Sequence, residues 1–476
     1  MPNISMQHSV VHPIKKALFI NPYPFYAKGT NEATMYPPLG LAYIAASLEK
    51  HGVVCTIIDA HVLKLNHHAI HRIVKSFKPD LIGITSNIVS ADEAIALGAY
   101  LRKKFPTTLL VYGGPYATAE SAFMLKKTHA DIVVVGEGEE TIVDIIKHPN
   151  NLPSILGISY RKGTIIRHTP PRPLVADLDS IPFPAYHLLP PFSSYSSRSR
   201  ATPIGVILTT RGCPYSCIYC NKNIFGKTFR MRSPSNILTE MELLTGRYGV
   251  RQIDVLDDNF TLNTEQAETV LDGIIQRKIK VLLNFQNGVR ADRLTPRLVK
   301  KMKQAGTYKA GIGIESGDPA IQKIIKKSLS LPKVIKAANM LRREGIVVVG
   351  FFMMGIPGET GKTIQKTIDF AKKVNPHIAV FSVAIPLPQT ELYDIIKRDG
   401  TMIADHGTTT GFFSDHLRFE IGEVNETLIR TYVSIAYKSF YLRPSKIIDI
   451  LLTIRSYSEL RWIVDTARPL VRFLCR

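Results

Sequence analysis

Between Lys15 and about Lys147, short β-branched apolar runs alternate with stretches whose apolar residues recur every three to four positions. The runs Ala17–Asn21, Val53–Asp59, Leu81–Thr85, Leu109–Tyr112 and Ile132–Val135 are apolar on successive residues, as strands covered on both faces must be, and they predict five parallel strands. Between them, Leu39–His51, His67–Phe77, Ala91–Phe105 and Ala117–Lys127 keep helical spacing. Strand followed by helix in this way predicts an α/β domain over residues 15–148, a flavodoxin-like doubly wound parallel sheet that binds ligands beyond the carboxyl ends of its strands.

The alternation resumes at Ile204, with strands expected at Gly205–Thr209, Gln252–Leu256, Val281–Phe285, Lys309–Ile314, Val347–Met353 and Ile378–Val383. Six such units are too few to close an eight-stranded barrel, so residues 204–400 predict a partial (β/α)6 barrel with its chemistry at the carboxyl ends of the strands. Residues 149–203 hold ten of the thirty prolines and the polar run Ser193–Arg200. They read as a linker with a short hairpin around Arg161-Lys-Gly163. Residues 401–476 read as a helical extension, in which Lys446–Arg455 and Leu460–Ala467 are amphipathic with basic flanks. Packing against the barrel and shallow docking on a membrane both suit such segments.

A chain of 476 residues with 45% hydrophobic content allows two to four domains with ordinary cores. Met1–His8 carries no apolar leader and no run of 18 apolar residues occurs, so the expected compartment is the cytoplasm, and any membrane contact would be peripheral. The formal charge of +21 suits nucleic acid, an anionic membrane surface or an acidic substrate. Most of it is dispersed. The exception is Ser180–Thr239, which lacks Asp and Glu but holds Arg198, Arg200, Arg211, Lys222, Lys227, Arg230 and Arg232. These cations could offset a negative metal cluster, attract an anionic substrate, or serve as solvated loop charges. No aromatic-interleaved RNA-binding motif accompanies them, and no nucleic-acid partner is expected.

The same segment contains Cys213, Cys217 and Cys220, three of the five cysteines. Three thiolates hold three irons of a [4Fe-4S] cluster and leave the fourth open for a ligand that is not cysteine. A structural zinc site would need a fourth N or S ligand, but Cys55 and Cys475 are remote and no His lies between His187 and His377. Disulfides do not suit three closely spaced thiols without a secretory leader. The spacing C-x3-C-x2-C, with Tyr219 before the third cysteine, resembles the radical S-adenosylmethionine (SAM) enzymes, and the resemblance covers roughly 204–395. It implies that SAM chelates the open iron and is cleaved to a 5′-deoxyadenosyl radical. It places Asp257 and Asp258 near the SAM amino group and Arg290, in Asn287-Gly-Val-Arg290, near its carboxylate. Glu315 and Ser316 fall by the amine or ribose, and Gly355, in Gly355-Ile-Pro-Gly-Glu359, by the adenine. A nucleotide P-loop at Gly355–Thr363 fails, because Ile356 stands where the first glycine belongs.

The first domain resembles the cobalamin-binding domains fused to class B radical SAM enzymes. Tyr36-Pro-Pro38-Leu-Gly40, Ser86, the pair Gly113-Gly114 and the run Gly136-Glu137-Gly-Glu-Glu140 carry that resemblance, which implies that the glycines leave room for a corrin. The Asp-x-His-x-x-Gly element that supplies an axial histidine is missing. Asp59-Ala-His61 is only a fragment of it, and His61 is read as a loop residue, leaving cobalt without a protein histidine. The cofactors implied are a [4Fe-4S] cluster, SAM and cobalamin. The reaction implied is C-methylation of an unactivated carbon in a small-molecule or lipid substrate, fed by an external electron donor of flavodoxin or ferredoxin type. Radical cyclisation or rearrangement is the enzymatic alternative. A B12-responsive or nucleic-acid-binding regulator is the alternative of a different class. A methylthiotransferase would need a second three-cysteine cluster. No catalytic residue is singled out.

Overall fold

The order of the strands in two separate parallel sheets defines the protein's architecture. The computed structural model describes residues 13–23, 35–195, 199–403, 417–457 and 460. They divide into two units, the first running to Tyr195 and taking in Lys222–Gly226. Its strands are β1 (Lys16–Asn21), β2 (Val54–Asp59), β3 (Leu81–Thr85), β4 (Leu109–Gly113), β5 (Ile132–Val134), β6 (Ile158–Lys162) and β7 (Ile165–His168). They lie in the order β2-β1-β3-β4-β5-β6-β7. The first five are parallel, and 2-1-3-4-5 is the flavodoxin-like order. Strand β1 sits between two partners under helices on both faces, so Ala17, Leu18, Phe19 and Ile20 are all buried, which explains its uninterrupted apolar run.

Two local differences from expectation have backbone causes. The helix expected over Ala117–Lys127 is divided at Glu120, whose φ of −120° and ψ of 41° separate Pro115–Ala119 from Ser121–Thr128. The Pro-rich stretch is not a free linker as far as Tyr195. Its hairpin, β6 with β7, adds antiparallel strands to β5 and satisfies an edge that would otherwise present bare backbone groups. Further on, the Tyr195 hydroxyl donates to the buried Asp59 carboxylate at 3.0 Å.

The second unit holds β8 (Ile204–Ile207), β9 (Thr210–Arg211), β10 (Arg230–Met231), β11 (Gln252–Val255), β12 (Leu282–Phe285), β13 (Thr307–Glu315), β14 (Val347–Met354) and β15 (Ile378–Val383). Six of these form a parallel sheet in chain order, β8-β11-β12-β13-β14-β15, the expected partial barrel. Burial alternates along the last two strands. Phe352, Met354, Ala379 and Phe381 are buried on the helix side, where the Phe381 ring meets Tyr437 and Phe440 of the helix Glu426–Tyr441 at 5.4 and 6.2 Å. Val349, Phe351, Met353, Val380 and Ser382 point the other way and stay half-buried, lining the lumen. Deeper inside, Asp254 accepts from Gln252 at 2.7 Å and Asn284 at 2.8 Å, so this buried carboxylate is satisfied by amides.

The extension from residue 401 includes the antiparallel pair β16 (Thr401–Met402) and β17 (Phe419–Glu420), then the helices Glu426–Tyr441 and Pro444–Leu451. Cys475 and the amphipathic stretch beyond Leu460 lie outside the described residues. No helix among the described residues is long and apolar enough to cross a membrane.

Candidate cluster and cofactor sites

Past the end of β8 the chain makes a hairpin of two-residue strands, β9 with β10, whose long loop, residues 212–229, carries the three cysteines. Asp257, following β11, braces its root. One of its oxygens accepts from the Thr209 and Thr210 amides at 2.6 and 3.2 Å, and the other takes the Thr209 hydroxyl. Burial pushes this carboxyl up to about 6 despite those hydrogen bonds. Asp257, expected near the SAM amine, is thus tied to the root of the cysteine loop by three hydrogen bonds. Asp258 is exposed.

Cys213 and Cys217 are partly exposed, Cys220 is exposed, and none forms a disulfide. Among the described residues no group of three His, Cys, Asp or Glu is gathered to hold a single metal ion. A four-iron cube spreads its thiolates more widely than one ion does, and three accessible thiols on one loop at the end of a barrel strand suit it. Cys55 differs. It is buried, and burial together with the Glu49 charge pushes its thiol up to about 12, leaving it inert.

Around the loop the structure gathers a charged cluster. Strand β13 has a register shift between Gly313 and Glu315, and Glu315 takes a left-handed φ of 66°. The bulge aims its carboxylate at Lys327, whose ammonium donates to Glu315 Oε1 at 2.9 Å and to the Tyr219 hydroxyl at 3.0 Å. Burial works against the Lys327 charge, but the Glu315 and Cys217 charges outweigh it and raise its pKa. Burial, with Glu315 and Cys217 adding, likewise keeps the Tyr219 phenol protonated. Arg290 stacks on Tyr215, pairs with Asp292 at 2.9 Å, and donates to the Lys327 and Ser328 carbonyls at 3.4 and 2.9 Å.

Tyr219, Glu315 and Arg290 are thus brought together, and Lys327 and Tyr215 complete the group. Sequence reading missed both. Lys326-Lys327-Ser328 looks like a solvated turn, and only left-handed residues on either side of Lys327, Lys326 at 54° and Ser328 at 51°, turn it to this use. Ser316 is not part of the group. It is fully buried, its hydroxyl lies 3.1 Å from that of Thr367, and it accepts from the Asp318 amide at 3.2 Å. Gly355, at φ 90°, donates with Ile356 to Glu359 Oε2 at 2.7 and 2.9 Å. Glu359 Oε1 is buried without a hydrogen-bond partner, and burial pushes this carboxyl up to about 7. Of the basic segment, Arg211, Arg230 and Arg232 are buried, and Arg232 pairs with the fully buried Glu240, so Arg232 is a core ion pair and not a solvated loop charge. Arg198 lies outside the described residues.

In the first unit the carboxyl ends of β3 and β4 meet at a tight corner. The Ser86 amide donates to the Gly113 carbonyl at 2.9 Å and the Tyr116 amide to the Ser86 carbonyl at 3.0 Å. The Ser86 hydroxyl is buried without a partner. Such an orphan at the ligand-binding edge of the sheet fits a cofactor that would complete it. The two glycines have separate reasons. A side chain on Gly114, at φ 95°, would strike the Ser86 carbonyl oxygen at 2.8 Å, so this glycine serves the corner itself. A Cβ on Gly113 would meet only Val134, at 3.9 Å, so this is the glycine that leaves room outside.

The remaining first-unit residues divide as well. Pro38 caps the helix Leu39–Glu49, Tyr36 is half-buried, and Gly40 is exposed with open space beside it. Gly136 is left-handed at φ 85° and donates to the Thr118 hydroxyl at 3.2 Å. Glu137 is buried and accepts from the Val175 amide at 2.9 Å, which makes it a brace and not an open ligand. His61 lies on the short helix Ala60–Leu63 and stacks on Tyr23 with ring centroids 5.8 Å apart.

Two α/β units with these sites define an enzyme class. The family model of the radical SAM superfamily matches residues 207–371, and that of the B12 binding domain matches residues 30–146. The chain is 33% identical over 424 residues to an uncharacterised methyltransferase of Pyrococcus horikoshii, covering 87% of this chain and 90% of that protein. It is 25% identical to the anaerobic magnesium-protoporphyrin IX monomethyl ester cyclase of Cereibacter sphaeroides, over 82% of this chain and 65% of that protein. The cobalamin-dependent SAM radical enzyme OxsB, solved with aqua-cobalamin and SAM, superposes with a TM-score of 0.75 over 97% of this chain and 71% of that one, at 16% identity, a likeness of fold. The chain belongs to the cobalamin-binding radical SAM enzymes, and its cofactors are that family's [4Fe-4S] cluster, SAM and cobalamin.

Proposed function

We propose that this enzyme transfers a methyl group to an unactivated carbon of a small-molecule or lipid substrate. The observation that carries the reading is the identity to a methyltransferase over nine-tenths of that protein's length, spanning both the cysteine loop and the β3–β4 corner. When bound, the cluster supplies the electron that cleaves SAM to a 5′-deoxyadenosyl radical, and cobalamin serves as methyl carrier. Cys213, Cys217 and Cys220 hold the cluster. Lys327 fixes Tyr219 against Glu315 beside it, and Arg290, held flat on Tyr215, would exchange its fork to Asp292 for the SAM carboxylate. Ser86 and Gly113 form the cobalamin edge, within a domain bounded by 15–148, and residues 204–400 form the SAM domain. The electron donor is a flavodoxin or ferredoxin, no nucleic acid takes part, and the enzyme works in the cytoplasm with peripheral membrane contact.

Product stoichiometry tests the reaction. Methyl transfer yields S-adenosylhomocysteine and 5′-deoxyadenosine in about equal amounts per methylated product, one SAM recharging the carrier and one generating the radical. Radical cyclisation, the second reading, is favoured by the cyclase relative. It would yield 5′-deoxyadenosine without coupled S-adenosylhomocysteine, and a product with no added methyl mass.

A further inference from the structure

The helix Pro444–Leu451 is turned inside out. Its buried residue is Lys446, 1% exposed, whose ammonium donates to the Pro376 carbonyl at 2.8 Å and to Asp449 at 2.5 Å. Asp449 also accepts both arms of Arg342, at 2.8 and 3.1 Å, from the helix Leu331–Arg343. The polar side therefore clamps the helix to the rest of its unit. The apolar side faces outward, with Ile447 47%, Ile448 58%, Leu451 55% and Leu452 65% exposed. Leu442 before them is 59% exposed, and Tyr457 and Leu460 after them are 79% and 42% exposed. Scattered apolar residues on a surface need no explanation, but a contiguous set on one helix marks an interaction surface.

Charge indicates what covers it. From Arg443 to Arg476 the chain carries seven Lys or Arg against three Asp or Glu, and Lys446 and Asp449 are already spent on each other. Arg455 is exposed beside the patch, and the chain's single tryptophan, Trp462, follows shortly in sequence. Large aliphatic residues with arginines and interfacial aromatics are the composition of a helix lying in a lipid headgroup layer. A second copy of this chain would instead bring like charges together.

We propose that the outer face of residues 442–457 docks this enzyme on the surface of an anionic lipid bilayer. This deepens the peripheral contact proposed above, and it stands or falls separately from the methyl transfer. The test uses the cofactor-loaded full chain, pelleted anaerobically with vesicles of phosphatidylcholine alone or containing about 30% phosphatidylglycerol. Binding at least about tenfold stronger to the anionic vesicles is expected, falling about fivefold in Arg455→Gln and further in about 0.5 M salt. The double variant Ile448→Glu, Leu452→Glu should lose binding while keeping its melting temperature and its SAM cleavage in vesicle-free buffer, since both side chains are exposed. Absence of pelleting, equal pelleting with neutral vesicles, or a concentration-dependent dimer dissolved by the same double variant would overturn the proposal. Loss of SAM cleavage in unmutated protein without vesicles would count against the chemistry and not against the docking.

Discussion

The Arg290 guanidinium lies 3.7 Å from the centre of the Tyr215 ring, between the first two cysteines of the loop. Stacking and the fork to Asp292 both depend on a planar guanidinium, which an ammonium cannot replace. Arg290→Gln, which removes the cation as well as the fork, is expected to slow 5′-deoxyadenosine formation about two- to thirtyfold, the range that loss of a cation–π contact spans. Iron content should stay unchanged. Equal turnover at equal iron loading would remove Arg290 from the site.

Replacing Cys213, Cys217 or Cys220 with Ala should abolish both the cluster absorbance and SAM cleavage, because a cube left with two thiolates is not retained. Cys55→Ala should change neither, since that thiol is buried and kept protonated. Iron and sulfide analysis after anaerobic reconstitution separates the two cases.

The paired glycines should respond differently. Gly114→Ala meets backbone at 2.8 Å and forces an unfavourable φ, so it is expected to destabilise the first unit by about 1–3 kcal/mol. Gly113→Ala has space for its methyl group and should preserve the melting temperature while weakening cobalamin binding, read from the corrin absorbance that co-purifies. Undiminished cobalamin in Gly113→Ala would move the corrin away from this corner.

Glu359 links stability to pH. Its carboxyl is raised from 4.5 to about 7 in the folded protein, so the folded state binds its proton more tightly than the unfolded chain does. The resulting stabilisation, on the order of 3 kcal/mol, is complete below pH 4.5 and lost as pH rises through 7. Glu359→Gln keeps one acceptor for the Gly355 and Ile356 amides but cannot ionise. Its melting temperature should therefore fall less than that of the unmutated protein between pH 5 and pH 8. Parallel curves for the two proteins would show that Glu359 does not ionise across that range.

Much of this architecture is legible in the chain because its cause is local. Uninterrupted apolar runs such as Leu81–Thr85 must be strands covered on both faces, and that strand lies where its pattern ends. Three cysteines within eight residues are likewise a property of the chain, since their loop brings them together in any fold that places it at a strand end.

What depended on the tertiary structure were choices among residues with the same local signal. Asp257 and Asp258 are neighbours of one chemistry, yet one is locked under the Thr209 and Thr210 amides and the other is exposed, because the loop after β11 turns the first toward the Thr209–Thr210 backbone and the second toward solvent. Gly113 and Gly114 differ because only the second, at φ 95°, packs against the Ser86 carbonyl. Lys327 joins Glu315, twelve residues before it, to Tyr219, more than a hundred residues before it, only because the fold brings the cysteine loop to the end of β13, and a solvated turn and a partly buried ammonium have the same local sequence until the fold desolvates one of them. On the helix Pro444–Leu451, alternation alone would place Ile447 and Ile448 inward. Lys446 and Asp449 instead face the rest of the unit, through the Pro376 carbonyl and Arg342, and because residues three apart share one face of a helix the isoleucines between them point outward.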